Sequence, residues 1–386
     1  MFSSRSARDR EPNELTRELE ALCRSGKALW DLTQSNPTRA GIRYDEDGIL
    51  TALGSPAALS YQPHPLGPRA AREAVAHCWA SEGVAVSADH VVLTASTSEA
   101  YGALFKLLCD PGDEVLIPAP SYPLFEHLAS FESVDVRNYP LGFDTGWYVD
   151  VDAVAARIGP RTRAIVLVSP NNPTGNYVTS DELARLERLG VPLISDEVFA
   201  TFPIDAPADR ARSVLDAKQV LCFALSGLSK LAALPQMKVA WTAVGGPPAL
   251  ADEALARLEL ILDAYLSPST PSLGALPRLL ETRHVAAEML HARVRRNARH
   301  LKERARDTAT TLLPIQGGWY AVLRLPATES EEDWVLGLLR HEQVLVQPGY
   351  FYDFAREPYA VVSLLTPEAT LDEGIERLLR YVERRC

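Results

Sequence analysis

The sequence predicts an α/β protein in which helices sandwich a mostly parallel sheet and a smaller α+β domain follows. Continuous apolar runs such as 164–168 and 220–225 are typical of strands that are buried on both faces. These runs alternate with helical segments up to about residue 247, where the alternation stops. The chain of 386 residues is long enough for roughly two or three domains.

The first part of the chain is predicted to contain the parallel sheet. Helical periodicity, capping residues and Pro or Gly breakers place helices at 15–29, 69–81, 100–108, 120–130, 151–158 and 181–189. Short apolar or β-branched runs place strands at 91–93, 114–117, 134–139, 164–168, 192–194, 220–225 and 239–244.

The second part is predicted to form the smaller domain. Long charged helices are expected at 249–266 and 285–309, and shorter ones at 331–340 and 371–383. Strands are expected at 320–325, 344–347 and 359–364, and Ser330 is the expected N-cap of the helix after it. We therefore predict an N-terminal segment, 1–50, that joins the small domain, a large domain, 51–266, and connector helices with the small domain, 267–386.

Charge, apolar runs and the spacing of cysteines and histidines limit the partners, the location and the metal content that we expect. A net charge of −11 argues against nucleic acid or an anionic membrane as the main partner. No apolar run approaches the roughly 18 residues that span a bilayer, and residues 1–10 contain no apolar secretion signal. The five cysteines are scattered, so we expect a reducing, cytoplasmic location. The eight histidines show no ligand-like spacing, so we expect no metal.

A lysine follows the apolar run 220–225 in the segment 225–230, LSGLSK. This position is the carboxyl end of a parallel strand, where open α/β sheets bind ligands. A desolvated lysine loses its proton readily and can form a Schiff base with an aldehyde. Taken alone, Lys230 is more simply interpreted as a solvated loop residue, because short motifs often match by chance.

Other polar groups follow the ends of neighbouring predicted strands. Ser96, Thr97 and Ser98 lie between a strand and a helix, where N–H groups and hydroxyls can bind phosphate. A plain N-cap by Ser96 is the alternative. Asn172, in the turn 170–175, places an amide at the same edge of the sheet, although an ordinary Asn-Pro turn is the simpler interpretation.

Two further side chains suit a flat ring that carries a protonated nitrogen. Asp196 follows the strand 192–194, and an adjacent carboxylate would keep such a nitrogen protonated. A solvated or helix-capping acid is the alternative. Tyr122, close to Pro120 and Pro123, could stack on the ring or could be a half-buried core aromatic.

Together these groups occur in the order expected for a pyridoxal 5′-phosphate (PLP) enzyme. The sequence resembles the fold type I PLP-dependent aminotransferases of class I/II, the aspartate/alanine/tyrosine aminotransferase superfamily, over nearly its whole length. The most specific blocks are 169–175, 196–199 and 226–238. The resemblance implies PLP as cofactor, a homodimer, an amino acid or amine as donor and a 2-oxo acid as acceptor.

The resemblance also implies a role for each matching residue. Lys230 would form the Schiff base and transfer the substrate proton, Asp196 would pair with the pyridine nitrogen, and Tyr122 would stack on the ring. Asn172 would bond the phenolic oxygen, and Asn36 would lie over the substrate carboxylate. The phosphate would be held by Ser96, Thr97, Ser98, Ser226 and Lys238, and by Tyr61 of the partner subunit.

Three positions depart from the pattern of the family. Phe199 stands where a tyrosine usually bonds the phenolic oxygen, so we expect the pKa of the Schiff base to be raised. Lys238 replaces an arginine, and it keeps the charge but loses the bidentate geometry. Val361 stands where an arginine usually holds the substrate α-carboxylate. Another arginine could replace it, with Arg39, Arg43 and Arg356 as candidates, or the substrate is not a standard α-amino acid.

The substrate side of the site is the least determined by sequence. The segment 317–320, GGWY, is expected to line the entrance, and Trp319 with Tyr350, Phe351 and Tyr352 would suit an apolar group, although core packing explains them equally well. Transamination is the leading hypothesis, and a lyase, synthase or decarboxylase of the same fold is the alternative. A regulator is disfavoured because there is no additional basic domain, and a cofactor-free scaffold is disfavoured because Lys230, Asp196 and Asn172 are all present.

Overall fold

The structure is a computed structural model that describes residues 2–6, 11–356 and 358–386. The prediction for residues 1–10 therefore lies partly outside the described residues. In chain order, the helices are α1 (Glu14–Ser25), α2 (Glu46–Leu53), α3 (Arg69–Ser81), α4 (Thr97–Leu108), α5 (Phe125–Phe131), α6 (Val151–Ala155), α7 (Ser180–Glu187), α8 (Leu228–Leu231), α9 (Pro248–Asp263), α10 (Thr270–Glu281), α11 (His284–Arg304), α12 (Glu331–Gly337) and α13 (Glu368–Glu383).

The strands form one large sheet and several small ones. They are β1 (Trp30–Asp31), β2 (Val91–Thr94), β3 (Glu114–Ala119), β4 (Asp135–Pro140), β5 (Gly142–Phe143), β6 (Trp147–Tyr148), β7 (Thr162–Val168), β8 (Leu193–Asp196), β9 (Cys222–Gly227), β10 (Ala240–Gly245), β11 (Thr311–Leu312), β12 (Tyr320–Arg324), β13 (Val344–Leu345), β14 (Gln347–Pro348) and β15 (Tyr359–Ser363).

The large sheet has the order β2-β10-β9-β8-β7-β3-β4 within the described residues. β10 is antiparallel to both of its neighbours, and the other pairs are parallel. One face packs on α3, α6, α7 and α10, and the other packs on α4, α5 and α9. Because apolar side chains cover both faces, the predicted helix-sandwiched, mostly parallel α/β fold is confirmed.

A smaller antiparallel sheet, β11-β12-β15-β14, belongs to a second core. Leu15 and Leu32 from the N-terminal segment pack in that core with Trp334 and Leu371, and β1 pairs in parallel with β13. Leu15 and Leu32 therefore pack with the smaller sheet, whereas Ile49 of α2 packs in the core of the large sheet.

Several element ends differ from the predictions. The first helix ends at Ser25, because Gly26 adopts a left-handed conformation (φ 69°) and caps it. The predicted helix 120–130 begins only at Phe125, after a loop. The helix predicted at 285–309 ends at Arg304. Ser330 does cap α12, since its hydroxyl accepts a hydrogen bond from the Asp333 N–H at 3.1 Å.

The sequence did not predict α2, α10 or the β5–β6 hairpin. Pro277 lies inside α10, and an internal proline normally ends a helix because it lacks an N–H and clashes with the preceding turn. Leu276, Leu279 and Leu280 of this helix are buried against the large sheet. Tertiary burial therefore outweighs the local preference.

Candidate active site

Two adjacent parallel strands bring the predicted carboxylate and lysine together. Asp196 is the last residue of β8, and its Cα lies opposite Leu225 of β9. β9 ends at Gly227, and Lys230 follows in the single turn α8. Both side chains thus lie at the carboxyl edge of the sheet, where α/β proteins place their ligands.

Lys230 and Asp196 are close enough for each to change the pKa of the other. Burial lowers the pKa of Lys230, and the charge on Asp196 opposes this change. Burial also raises the pKa of Asp196 to about 6, against the opposing effects of Lys230 and of the Val198 N–H, which donates to its Oδ1 at 3.2 Å. Lys230 therefore loses its proton more easily than an exposed lysine does.

Aromatic rings surround the amine of Lys230. Its Nζ lies 5.0 Å from the ring centroid of Trp319 and 5.6 Å from that of Phe199. The ring of Tyr320 stands perpendicular to Phe199 at 6.2 Å, and its hydroxyl shares a hydrogen bond with Ser35. These rings exclude water from one side of the amine, which explains the direction of its pKa shift.

Tyr122, in the loop before α5, lies near Tyr320 and Asp196. Its ring meets Phe125 edge to face at 6.1 Å, and 39% of the residue is exposed. Burial raises the pKa of Tyr122, and the charges of Tyr320 and Asp196 raise it further. Tyr122 therefore lies within electrostatic reach of Asp196, with part of its surface open.

The loop after β7 holds Asn172 in a rigid, buried position. The neighbouring Asn171 amide donates to the Pro120 carbonyl at 2.9 Å, and Gly175 packs so closely that an added Cβ would lie 2.7 Å from the Gly317 carbonyl oxygen. Gly175 also has a φ of 75°, which a side chain would strain. The Oδ1 of Asn172 is buried and has no hydrogen-bond partner within the described part of the chain. Buried polar atoms normally have a hydrogen-bond partner, so the Asn172 amide is a candidate contact for a ligand.

Ser96, Thr97 and Ser98 lie at the N-terminus of α4. Ser96 is the N-cap, and its hydroxyl accepts from the Glu99 N–H at 3.1 Å. The plain N-cap that the sequence left open is thus present. Thr97 and Ser98 occupy the first turn, where N–H groups have no acceptor within the helix. These groups can bind an anion whether or not Ser96 also does.

Lys238 lies next to this helix terminus through the pairing of β10 with β2. Ala240 pairs with Thr94, two residues before Ser96, so Lys238 lies beyond the paired region on the same side as α4. It is exposed and has a left-handed conformation (φ 51°). Its ammonium group is therefore available to an anion at the start of α4.

Sequence reasoning missed Tyr101. This residue of α4 is buried, and its hydroxyl has no hydrogen-bond partner among the residues that the structure describes. Burial raises its pKa well above the usual range, and the charge on Asp196 adds to the effect. Thr97 and Tyr101 are four residues apart, so helical spacing places them on one face and could have signalled this position.

The N-terminal segment crosses the small sheet beside the site. The Ser363 N–H donates to the Leu32 carbonyl, and its hydroxyl donates to the Gln34 carbonyl, both at 2.7 Å. Asn36 is exposed, and its Oδ1 accepts from the Thr38 N–H at 3.0 Å. The amide nitrogen of Asn36 is the group that remains for a ligand.

A sequence profile of the family described as aminotransferase class I and II matches residues 45–378. The chain belongs to this family. It is 26% identical over 356 residues to nicotianamine aminotransferase 1 of Oryza sativa subsp. japonica, which covers 88% of this chain and 71% of the relative. It is 25% identical over 376 residues to the glutamate-pyruvate aminotransferase AlaA of Haemophilus influenzae, covering 92% and 91%.

The fold of this aminotransferase is shared with solved structures. An alanine aminotransferase from Pyrococcus furiosus has a TM-score of 0.87 at 22% identity, covering 96% of each chain. The protein is an enzyme of the amino-group-transferring class, and its family depends on PLP. The named relatives favour this over a lyase, synthase or decarboxylase.

The residues of this aminotransferase fit PLP. The amide of Asn172 is buried and its Oδ1 has no partner within the described residues. A half-turn of the side chain exchanges the amide oxygen and nitrogen, so that the N–H can donate to a ring oxygen. Lys230 is an amine of lowered pKa, which suits attack on an aldehyde. The first turn of α4 suits a phosphate.

Ser226 lies on the face of the sheet opposite Asp196. Asp196 and Leu225 are paired and share a face, so the next residue, Ser226, points to the opposite face of the sheet. There it lines a cavity together with Ser195 and Glu197. The role of Ser226 in phosphate binding was implied by the family resemblance, which does not reveal the face of a strand-end residue in this chain.

Tyr61 is not brought to the other residues within this chain. It is 75% exposed in the loop that follows Leu59, which is itself 93% exposed. The Tyr61 side chain is therefore largely open to solvent in the single chain.

Val361 lies in a buried cluster that Tyr320 joins from the candidate site. It is fully buried between Val322 of β12 and Gln347 of β14, in a cluster with Leu313 and Tyr352. The Tyr352 hydroxyl donates to the Gln347 side chain. This aromatic packing leaves no place for a cation at position 361.

The three candidate replacement arginines are all exposed. Arg39, Arg43 and Arg356 form no ion pair and no side-chain hydrogen bond within 2–6, 11–356 and 358–386. Arg39 is the nearest in sequence to Asn36, at the end of the short turn Pro37–Arg39. None of them is held in a buried binding position.

Membrane spans, metal clusters and disulfides are not found in the described residues. In the part of the chain that the structure describes, no helix is long and apolar enough to cross a membrane. No group of three or more His, Cys, Asp or Glu in the same residues could hold a metal ion. All five cysteines are free.

Proposed function

We propose that this aminotransferase moves an amino group between an amino acid or amine and a 2-oxo acid, with PLP attached to Lys230. One observation carries the proposal: a lysine of lowered pKa, a buried carboxylate and an unpartnered amide oxygen meet at the carboxyl ends of β7, β8 and β9. When bound, PLP supplies an aldehyde that takes up the amine and a ring that withdraws electrons from the substrate Cα.

Lys230 acts as the proton-transfer residue in this proposal. With PLP bound, the free amine of Lys230 would be able to take up a proton from the substrate Cα and to return it, as transamination requires. Burial supports this role, because it lowers the pKa of Lys230 toward the range in which the amine is neutral. The rings of Trp319 and Phe199 exclude water from the proton in transit.

Asp196 holds a proton on the pyridine nitrogen. Its carboxylate lies in a buried position that raises its own pKa to about 6, so a cationic partner would stabilise its charged form. Tyr122 orients the ring by stacking, and Asn172 binds the ring oxygen. The positions of both side chains around Asp196 support these roles.

The phosphate is proposed to bind at the start of α4. Thr97 and Ser98 offer first-turn N–H groups and hydroxyls, and Lys238 offers a positive charge beside them. Ser96 contributes less, because its hydroxyl already accepts a hydrogen bond from Glu99.

The side chains around Tyr320 bear on whether the amino donor carries an α-carboxylate. Relatives are named for alanine, glutamate and nicotianamine, all of which carry carboxylates, and Asn36 with Arg39 would then have to bind that group. The buried aromatic cluster around Val361 favours a second candidate, an amine without an α-carboxylate. A buried carboxylate without a cation is strongly disfavoured.

We propose a homodimer in the cytoplasm as the working unit. Leu50, Leu59 and Tyr61 are 66%, 93% and 75% exposed, and exposed apolar groups of this kind mark protein interfaces. Tyr61 could then reach the phosphate of the other subunit. The free cysteines support a reducing compartment.

The test is the visible absorbance of the holoenzyme after single additions of L-phenylalanine or 2-phenylethylamine, which differ only in the α-carboxylate. Conversion of the cofactor to its amine form by either compound supports transamination. Faster conversion by phenylalanine would show that Asn36 and an arginine bind the carboxylate, and faster conversion by phenylethylamine would support the second candidate.

Lys230→Ala is the control variant. We expect the covalent cofactor absorbance to be lost and the rate of conversion to fall by at least about 100-fold, the usual contribution of a positioned acid–base group. Covalently bound PLP that persists in this variant would contradict the proposal.

A further inference from the structure

A second cavity lies behind the sheet, on the face opposite Asp196. Its volume is about 640 Å³, which is in the range of small-molecule sites. Strand alternation directs Ser169, Ser195 and Ser226 into it from the ends of β7, β8 and β9. The cavity therefore has a floor of hydroxyl groups at the same edge of the sheet, on the face opposite Asp196.

Two arginines reach this cavity from one extended segment. Arg210 forms an isolated antiparallel bridge with Thr179, and the Ala211 N–H donates to the Val178 carbonyl at 2.9 Å. In an extended segment, residues two apart point the same way, so Arg210 and Arg212 both line the cavity.

Neither guanidinium has an anionic partner in the described residues. Arg210 lies over the ring of Tyr177, 5.1 Å from its centroid, and Arg212 packs against Gly83. Neither forms an ion pair or a side-chain hydrogen bond within that part of the chain. The protein has a net charge of −11, and many of its other arginines are paired with carboxylates.

The two acidic residues that line the cavity, Glu82 and Glu197, have partners other than Arg210 and Arg212. Glu82 pairs with Arg283 at 3.4 Å. Glu197 accepts from the Val214 N–H at 2.7 Å and from the hydroxyls of Ser213 and Ser195. Burial raises the pKa of Glu197 to about 7, so it carries only part of a negative charge near neutral pH. Arg210 and Arg212 thus keep their positive charge for a ligand.

We propose that this cavity is a second binding site, for a small anion whose carboxylate or phosphate oxygens are bound by Arg210 and Arg212. Guanidinium groups bind both kinds of oxyanion in a bidentate manner. The hydroxyls of Ser169 and Ser226 can donate to the remaining polar atoms of the ligand. An occupant would contact Ser226 and Leu231, which flank Lys230 in the chain.

The experiment is equilibrium dialysis of the holoenzyme against labelled inorganic phosphate and, separately, labelled malonate, at constant ionic strength. We expect saturable binding of at least one probe. We also expect Arg210→Ala and Arg212→Ala to weaken it by at least about tenfold each, the usual effect of losing a charge-assisted hydrogen bond. Phosphate binding alone would identify a phosphate ligand, and malonate binding alone a carboxylate.

Arg188→Ala is the matched control, since Arg188 is also exposed and unpaired among the described residues but does not line the cavity. It should bind like the wild type. Unchanged cofactor absorbance in all three variants would show that they fold and that the Lys230 site is intact. Malonate that binds at the Lys230 site would bind all variants equally. The proposal is overturned if neither probe binds, or if both cavity variants bind as tightly as the wild type.

Discussion

Asp196 is a residue whose burial lowers the stability of the cofactor-free protein. Its pKa is raised from about 3.8 to about 6 in the folded state, so ionisation opposes folding. The penalty is absent below about pH 4, grows between pH 4 and 6, and is constant above. From the shift of about two units, it reaches about 3 kcal/mol.

Asp196→Asn is therefore expected to stabilise the cofactor-free protein while it weakens PLP binding. At pH 8 the free energy of unfolding should rise by about 2–3 kcal/mol, and at pH 4 the gain should vanish. Denaturant unfolding at the two pH values measures this difference. Asp209→Asn, at an exposed position, is the control, and equal stability of Asp196→Asn and the wild type at pH 8 would contradict the prediction.

Phe199 is expected to raise the pKa of the Schiff base at Lys230, because it lacks the hydroxyl group of a tyrosine. Its ring centroid lies 5.6 Å from the Lys230 Nζ and carries no donor for the phenolic oxygen of PLP. In Phe199→Tyr, a new hydrogen bond to that oxygen should lower the pKa of the Schiff base by about one unit. Absorbance titration of the holoenzyme measures this pKa. Phe131→Tyr, on the exposed side of α5, should leave it unchanged, and equal pKa values in Phe199→Tyr and the wild type would refute the role of Phe199.

The helix α10 is the element that local sequence predicts least well. Pro277 lies in its interior, where it removes a backbone hydrogen bond, whereas Pro271 lies in the first turn, where the N–H has no acceptor within the helix. Burial of Leu276, Leu279 and Leu280 maintains the helix despite Pro277. The cost of Pro277 should therefore be measurable.

Pro277→Ala is expected to raise the free energy of unfolding by about 1–2 kcal/mol, since alanine restores the N–H and removes the ring clash. Some of the gain is offset because the unfolded chain becomes more flexible. Denaturant unfolding measures the change, with Pro271→Ala as the matched control that gives no gain. A similar effect of both substitutions would show that α10 is not strained at Pro277.

The whole molecule presents an apolar surface that a second subunit would cover. Leu50 and Leu59 lie on the layer formed by α2 and the turn Pro56–Leu59, which packs on α10. Association buries such groups and is driven by the hydrophobic effect. The proposed dimer should therefore be sensitive to charge at this surface.

Leu59→Asp is expected to shift the protein from dimer to monomer, because a carboxylate in an apolar interface is costly to bury. Sedimentation velocity at several concentrations measures the populations. Leu250→Asp is the control, because Leu250 is also exposed but belongs to α9, which packs with α4 on the other face of the large sheet. A wild-type monomer at all concentrations would contradict the proposed dimer and the role of Tyr61.

By itself, the sequence determined the helix-sandwiched sheet and the positions of Lys230, Asp196 and Asn172 at one edge. Apolar runs and their breakers are local signals, and the carboxyl ends of parallel strands necessarily meet. The tertiary structure alone decided that Ser226 faces the opposite cavity, because a shift of one residue reverses the face of a strand side chain.

Tertiary structure also decided which non-local groups complete each site. Tyr101 lies within electrostatic reach of Asp196 because α4 packs on the sheet. Val361 is enclosed by aromatic rings from distant segments. The helix α10 forms against its local preference because its leucines are buried. Arg210 and Arg212 share a cavity with strand-end serines that are distant in the chain. Burial depends on contacts between distant segments, and local patterns of sequence do not record them.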